Sequence, residues 1–235
     1  MTINDTDSNS IPENTFIKGD SVYLRMPDIE KDIIQGHWHT WFNDPDITRY
    51  LVHGTYPIDC EGEASLIREE LAKRDTLILS IIDKQSQLHI GVISLKQIDH
   101  INRTAEIGIV MGPQRNPLAA IESMSLLMKH AFDRLNLNLL YAGQHQDLWK
   151  WVNTLSLIGF RIDGFRRYAG VRNGTTYGSY LTSVCADEFY TLQESRNGKI
   201  MSDKPLQLLK QRNKKNPLAE LDSTLSTFNT DWRNY

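Results

Sequence analysis

The stretch from Thr104 to Phe160 constrains the fold of this chain more than any other part. A β-rich run ends at Met111-Gly112, a short loop follows from Pro113 to Asn116, and a long helical pattern starts at Pro117. A second β-rich run at Leu139 to Gly143 and a helix around Trp149 to Leu157 then lead to Ile158-Gly159-Phe160. In the long helix Ala120, Met124, Leu127, Met128, Ala131 and Leu135 share one stripe, while Glu122, Lys129, Asp133 and Arg134 fall largely elsewhere, so one face packs on a sheet. A helix N-terminus directly after a strand is a place where backbone N–H groups and the helix dipole favour an anion. Asn116 suits the cap, and Pro117 suits the first helical position because the N–H it lacks would have no partner inside the helix. The amides of Leu118, Ala119 and Ala120 are then expected to point outward.

The rest of the chain supplies the remaining elements. Ser21 to Arg25 predicts a strand, and helical spacing runs from Ile29 to Leu51 until Asn43-Asp44-Pro45 breaks it. Ile58, Ala64, Ile67, Leu71 and Ala72 lie near one stripe of a surface helix. Leu77 to Ile82, Ile90 to Ile98 and Ala105 to Met111 are separated by polar turns and predict an antiparallel meander. Arg161 to Arg172 and Thr176 to Val184 predict two strands joined by Asn173-Gly174, a hairpin signal. The expected fold is therefore α/β with a mixed sheet: a meander, then strand-helix-strand-helix, then a C-terminal hairpin.

A chain of 235 residues, 40% hydrophobic, can bury one sizeable core. Residues 1–14 are polar and expected to be disordered, 15–190 form the domain, and 191–235 form a polar C-terminal tail whose leucines can support short helices. A mobile tail and an arm for docking or homodimer formation are both open for that segment. The net charge of -3 gives no global attraction to nucleic acid or an anionic membrane. Cys60 and Cys185 lie outside any metal-binding or disulfide spacing, so no metal is expected and a reducing cytoplasm is the simple expectation. The N-terminus lacks the pattern of a signal peptide, and no apolar run approaches the ~20 residues of a membrane span.

From about Phe16 to Tyr190 the chain resembles the GNAT acetyltransferase superfamily. Arg115 and Ala120 match the ends of its Arg/Gln-x-x-Gly-x-Gly/Ala loop, and Gly159-Phe160 matches the Gly-Phe that closes its last helix. Glu122, the phrase from Trp41 through Asp44-Pro45-Asp46 to Tyr50, and Arg172-Asn173-Gly174 resemble the branch that acetylates nucleotide amino sugars or the N-termini of ribosomal and other proteins. The resemblance implies an acyl-CoA N-acyltransferase fold with acetyl-CoA as co-substrate. The backbone of Ile109, Val110 and Met111 would pair with the pantetheine arm, and Gln114, Arg115, Asn116, Leu118, Ala119 and Ala120 would hold the pyrophosphate. The chain departs from the pattern at Asn116 and Leu118, which replace glycines, and in lacking the usual tyrosine near Leu155 or Ser156.

Acetyl transfer to an amine needs a base, a polarised thioester carbonyl and a proton for the departing thiolate. Glu106 is the expected base: it shares a strand face with Gly108 and Val110 and sits half-buried among Ala105, Ile107 and Ile109. A surface glutamate on a strand is the plain alternative. Water, Tyr141, Tyr168 and His145 all remain open as the proton donor. For the acceptor, Trp38 and Trp41 offer stacking faces, with a role as core anchors the competing possibility. Asp44 at the turn would meet an ammonium or hydroxyl group, and Tyr168 and Tyr177 would close the pocket or simply pair across the hairpin. The expected acceptor is a small-molecule amine, first a nucleotide-linked amino sugar. A protein N-terminus and a non-catalytic GNAT-fold binder are the alternatives.

Overall fold

Eight strands form one mixed sheet in the computed structural model, which describes residues 14–51, 54–113, 116–199 and 201–218. The strands are β1 (Thr15–Lys18), β2 (Val22–Arg25), β3 (Leu77–Asp83), β4 (His89–Asp99), β5 (Thr104–Met111), β6 (Leu139–His145), β7 (Arg161–Arg172) and β8 (Thr175–Cys185). Their spatial order is β1-β2-β3-β4-β5-β6-β8-β7. Every neighbouring pair is antiparallel except β5 and β6, which are parallel. A parallel pair needs a long crossover, and α3 (Pro117–Asp133) supplies it. The expected meander of β3, β4 and β5 is present, extended on its outer side by β2 and β1.

The sheet buries both faces, and strand alternation sorts the side chains between them. Leu79 and Ile93 point to the face covered by α3, together with Ile121, Met124, Leu127 and Met128. Their neighbours Ile78 and Val92 point the other way and pack with Ile33, Trp38, Trp41, Phe42, Ala64 and Ile67. That second layer comes from α1 (Trp38–Asn43) and α2 (Cys60–Leu71). Asp59 caps α2 by accepting from Gly62 N at 2.8 Å.

The helical pattern from Ile29 to Asn43 is split before Trp38, and the short second helix expected after the Asn43-Asp44-Pro45 turn is a 3-10 turn. A π-helical turn at Ile29–Ile34 precedes α1, and a 3-10 turn at Thr48–Tyr50 follows it. The reason is a buried ion pair: Asp32 receives Arg25 of β2 at 2.6 and 2.8 Å, with Ser80 Oγ donating at 2.7 Å and Asp28 N at 2.9 Å. Pulling one carboxylate onto the sheet draws the turn away from a straight helical path.

α4 (Trp149–Leu155) continues into a 3-10 turn at Ser156–Ile158 and ends at Gly159, whose φ of 103° is where a residue without Cβ fits. Asn173 and Gly174 both adopt positive φ in the β7–β8 hairpin, as a type I′ turn requires. Beyond α5 (Ala186–Glu194) and α6 (Pro205–Arg212), the described part of the C-terminal segment packs on the domain. Asn153 Nδ2 donates to the carbonyls of Arg212 and Lys215, each at 3.0 Å, and Tyr180 Oη donates to Asn216 Oδ1 at 3.1 Å. Residues 212–216 of the described tail are thus hydrogen-bonded to α4 and β8. Residues 1–13 and 219–235, where the remaining expectations of disorder fall, lie outside the described residues.

Candidate active site

The sheet opens at Glu106. β5 and β6 pair only at Thr104↔Leu139, Ala105↔Leu140 and Glu106↔Tyr141, yet β5 runs on to Met111 and β6 to His145. Past the vertex the two strands remain held by their outer partners, β4 and β8, and diverge from each other. The facing edges are left with unpaired alternate backbone groups, which is the situation of a strand waiting for a partner. A cleft of about 410 Å³ occupies the wedge and reaches Asn116, Pro117 and Ala120 of α3 and Trp151 of α4. Ile109, Val110 and Met111 all line it.

A second cavity of about 470 Å³ lies beside α2 and meets the same strand. Glu106, Gly108, Ile109 and Val110 line both. Glu106 is half-buried and carries no hydrogen bond or ion pair to the described residues, so its carboxylate is available where the cavities meet. Tyr141, level with it on β6, donates to Gln97 Oε1 at 3.1 Å. Burial, and then the nearby Glu106 and Asp99 charges, push the Tyr141 pKa up.

His145 lies on the wedge wall between two rings, Tyr50 at 4.7 Å and Tyr177 at 4.4 Å between centroids. Its pKa is lowered, first by burial and also by Arg172, against the pull of Asp147. Nδ1 accepts from Asp147 N at 3.2 Å, so the neutral ring carries its proton on Nε2. Tyr50 and His145 line the cleft, whereas Tyr168 is 79% exposed on the hairpin and lines neither cavity.

Several expected site residues do other work. Trp38 and Trp41 are 1% and 4% exposed and stack on His89 at 5.3 and 4.9 Å, and a side chain at Gly112 would come within 2.8 Å of the Trp41 ring. Both pack in the second core layer, Trp38 also lines the cavity beside α2, and the face of Trp41 is covered by His89 and the Gly112 backbone. Asp44 Oδ1 accepts from Asp46 N at 2.8 Å, which fixes the turn, while Asn43 exchanges hydrogen bonds of 2.6 and 3.0 Å with Ile58. Glu122 accepts from the backbone and hydroxyl of Ser21 and ties α3 to the β1–β2 turn.

The helix N-terminus also differs from expectation. Asn116 Oδ1 accepts from Leu118 N at 3.0 Å and Ala119 N at 3.4 Å, and Ala120 N bonds the Asn116 carbonyl at 3.0 Å. A good cap satisfies the very amides that were expected to be free. Gln114 and Arg115 lie outside the described residues.

An open wedge between two parallel strands, with a helix N-terminus at its mouth and a glutamate at its vertex, coincides with a family match. The model of the acetyltransferase (GNAT) domain matches residues 22–161. The chain belongs to the GNAT family of acetyltransferases. It is 26% identical over 174 residues to p20, an uncharacterised N-acetyltransferase of Bacillus licheniformis, covering 71% of this chain and 93% of that protein. Among solved structures it is similar to a GCN5-related N-acetyltransferase from Brucella melitensis, with TM-score 0.65 and 25% identity over 80% of this chain and 86% of that one. The fold is shared with a spermidine N-acetyltransferase from Vibrio cholerae in complex with CoA and spermine, at TM-score 0.66 and 19% identity, over 72% and 98% of the chains. Acetyl-CoA is the acetyl donor of the GNAT family.

Sequence reasoning missed Glu63, Tyr50 and the structural part of Arg172. Glu63 had a signal: it lies four residues before Ile67, on the apolar stripe of α2 rather than among its exposed charges.

Proposed function

We propose that this GNAT member transfers acetyl from acetyl-CoA to the primary amine of a small acceptor that enters from the α2 cavity and meets the thioester at Glu106. The observation that carries this reading is the shared lining of the two cavities: a donor arm in the wedge and an acceptor beside α2 would meet at Glu106, Gly108 and Ile109. In the reaction the amine nitrogen bonds to the acetyl carbon as the carbon–sulfur bond breaks, and it loses two protons, one that reaches the departing sulfur by way of water and one that first leaves the ammonium to make it nucleophilic. Glu106 takes the proton that leaves first, directly or through water. Backbone groups of Ile109 to Met111 orient the donor, and the mouth of the wedge at α3 receives the pyrophosphate once Asn116 turns away from its own amides. His145, neutral and lining the wedge, offers a hydrogen bond to the departing sulfur, with water supplying its proton.

A nucleotide-linked amino sugar is the acceptor suggested by the branch resemblance, and Phe42 and Trp38 are the aromatic side chains that line the α2 cavity it would enter. A protein N-terminus has less support, because the open edge of β5 that a peptide would use is the one the donor arm occupies. The test is thiol release from acetyl-CoA with a panel of simple amines, nucleotide amino sugars and short peptides. Turnover confined to peptides, or tight acetyl-CoA binding with no turnover on any amine, would reject this reading.

A further inference from the structure

The α2 cavity contains a carboxyl that acetyl transfer at Glu106 does not use. Glu63 is 5% exposed and lines this cavity, its side chain makes no ion pair with the described residues, and the Trp38 indole is its hydrogen-bonding neighbour. The other charges nearby are matched: Glu70 lies 3.3 Å from Lys96 and also pairs with Lys73. Two carboxyls therefore line the space without a cationic partner among the described residues, Glu63 from the helix and Glu106 from the sheet. Between them the lining is mainly apolar, with Phe42, Ile67 and Val110 among its side chains. The indole N–H of Trp38, on the same wall, is buried without a partner of normal hydrogen-bond geometry, although it lies near enough to Glu63 to hold its pKa down a little.

A buried carboxyl without a cationic partner is costly to ionise, and natural proteins keep one where a matching charge arrives. Burial pushes the Glu63 pKa up to about 7, so the empty cavity keeps the group partly protonated near neutrality. A cation bound there would draw it to the ionised form. The apolar stretch leading to Glu106 suits methylene groups, and a second nitrogen at the reacting end would meet the base.

We propose that Glu63 anchors a cationic nitrogen of the acceptor, so that the preferred substrates are aliphatic diamines or related dications acetylated at the end that reaches Glu106. The proposal rests on the N-acetyltransfer reading above and adds the acceptor's second charge to it. Glu63 acts on selection, through the acceptor's far end, and takes no part in the bond changes.

The test compares α,ω-diaminoalkanes of increasing length with the matching monoamines, in wild type, Glu63→Gln and Glu63→Asp. In wild type the best diamine should exceed its monoamine in kcat/KM by about tenfold or more, mostly through KM. Glu63→Gln should bring that ratio close to one, and Glu63→Asp should move the preferred chain length upward. Unchanged acetyl-CoA affinity in both variants serves as the control for folding. Equal use of diamines and monoamines by wild type, or a ratio untouched by both substitutions, overturns the proposal while leaving N-acetyltransfer standing. Absence of turnover with every amine overturns the functional reading instead, and calorimetric titration of the diamines into the CoA-bound protein then decides the anchor. Binding abolished by Glu63→Gln supports it, and no diamine binding to wild type rejects it.

Discussion

The guanidinium of Arg172, at the end of β7, donates to the carbonyl oxygen of Thr48 at 2.8 Å. The same group also donates to the carbonyls of Arg49 and Leu51. One side chain from the C-terminal hairpin thus fixes the 3-10 turn whose Tyr50 and Leu51 line the wedge. Arg172→Ala should raise the acceptor KM by roughly tenfold and lower stability by about 1–3 kcal/mol. Lysine cannot reproduce a forked donor set, so Arg172→Lys should recover little of either loss in steady-state kinetics and thermal unfolding.

Glu106→Gln keeps the size of the side chain and removes the base. The rate with acceptor should fall by roughly 10²-fold or more, with acetyl-CoA binding retained. A pH–rate profile whose acidic limb is the same in wild type and variant would show that another group takes the proton.

Trp41 belongs to the second core layer, so its truncation is a stability change before anything else. Trp41→Ala should cost about 3–5 kcal/mol in denaturant unfolding. A well-folded variant with a selectively raised acceptor KM would contradict its assignment as an anchor.

Asn116 decides how the wedge mouth treats a pyrophosphate. Asn116→Ala removes the cap at about 1 kcal/mol but leaves the amides of Leu118 and Ala119 free, so acetyl-CoA affinity should hold or rise. Asn116→Asp places a negative charge at the same point and should weaken affinity by about tenfold. Calorimetry on the two variants checks the sign, and equal affinities would move the pyrophosphate elsewhere.

Two buried groups give stability opposite pH slopes. The Glu63 pKa is raised from 4.5 to about 7, so the folded state holds this proton more tightly, and its contribution is lost as pH rises through that window. The His89 pKa is lowered from 6.5 to about 4 by burial, against the attraction of Asp32, so its contribution is present above 6.5 and lost as pH falls toward 4. Glu63→Gln should therefore raise Tm relative to wild type more at pH 8 than at pH 5. The wild-type curve should be flatter between these values than that of the variant, which keeps only the His89 slope.

Much of the fold was legible because period and punctuation are local. β-rich runs between polar turns marked β3, β4 and β5, the stripe through Met124 and Leu127 marked α3, and Asn173-Gly174 marked the hairpin. The helical run from Ile29 was misread because its outcome depends on Arg25 and Ser80, which reach Asp32 from distant strands. Glu106 was legible as a half-buried strand glutamate. The acceptor side was not, since an aromatic helix looks the same in sequence whether its rings face a ligand or the sheet.

By itself the sequence determined the main strands and helices, the strand-loop-helix-strand order, the cap at Asn116 and the hairpin at Asn173-Gly174, all set by neighbours within a few residues. Only the tertiary structure decided that β5 and β6 part after Glu106, that Trp38 and Trp41 are buried, and that Glu63 shares a cavity with Glu106. Strand divergence depends on which outer partners hold each strand, and burial depends on what is packed opposite. Both are set by contacts between residues far apart along the chain, which no local pattern encodes.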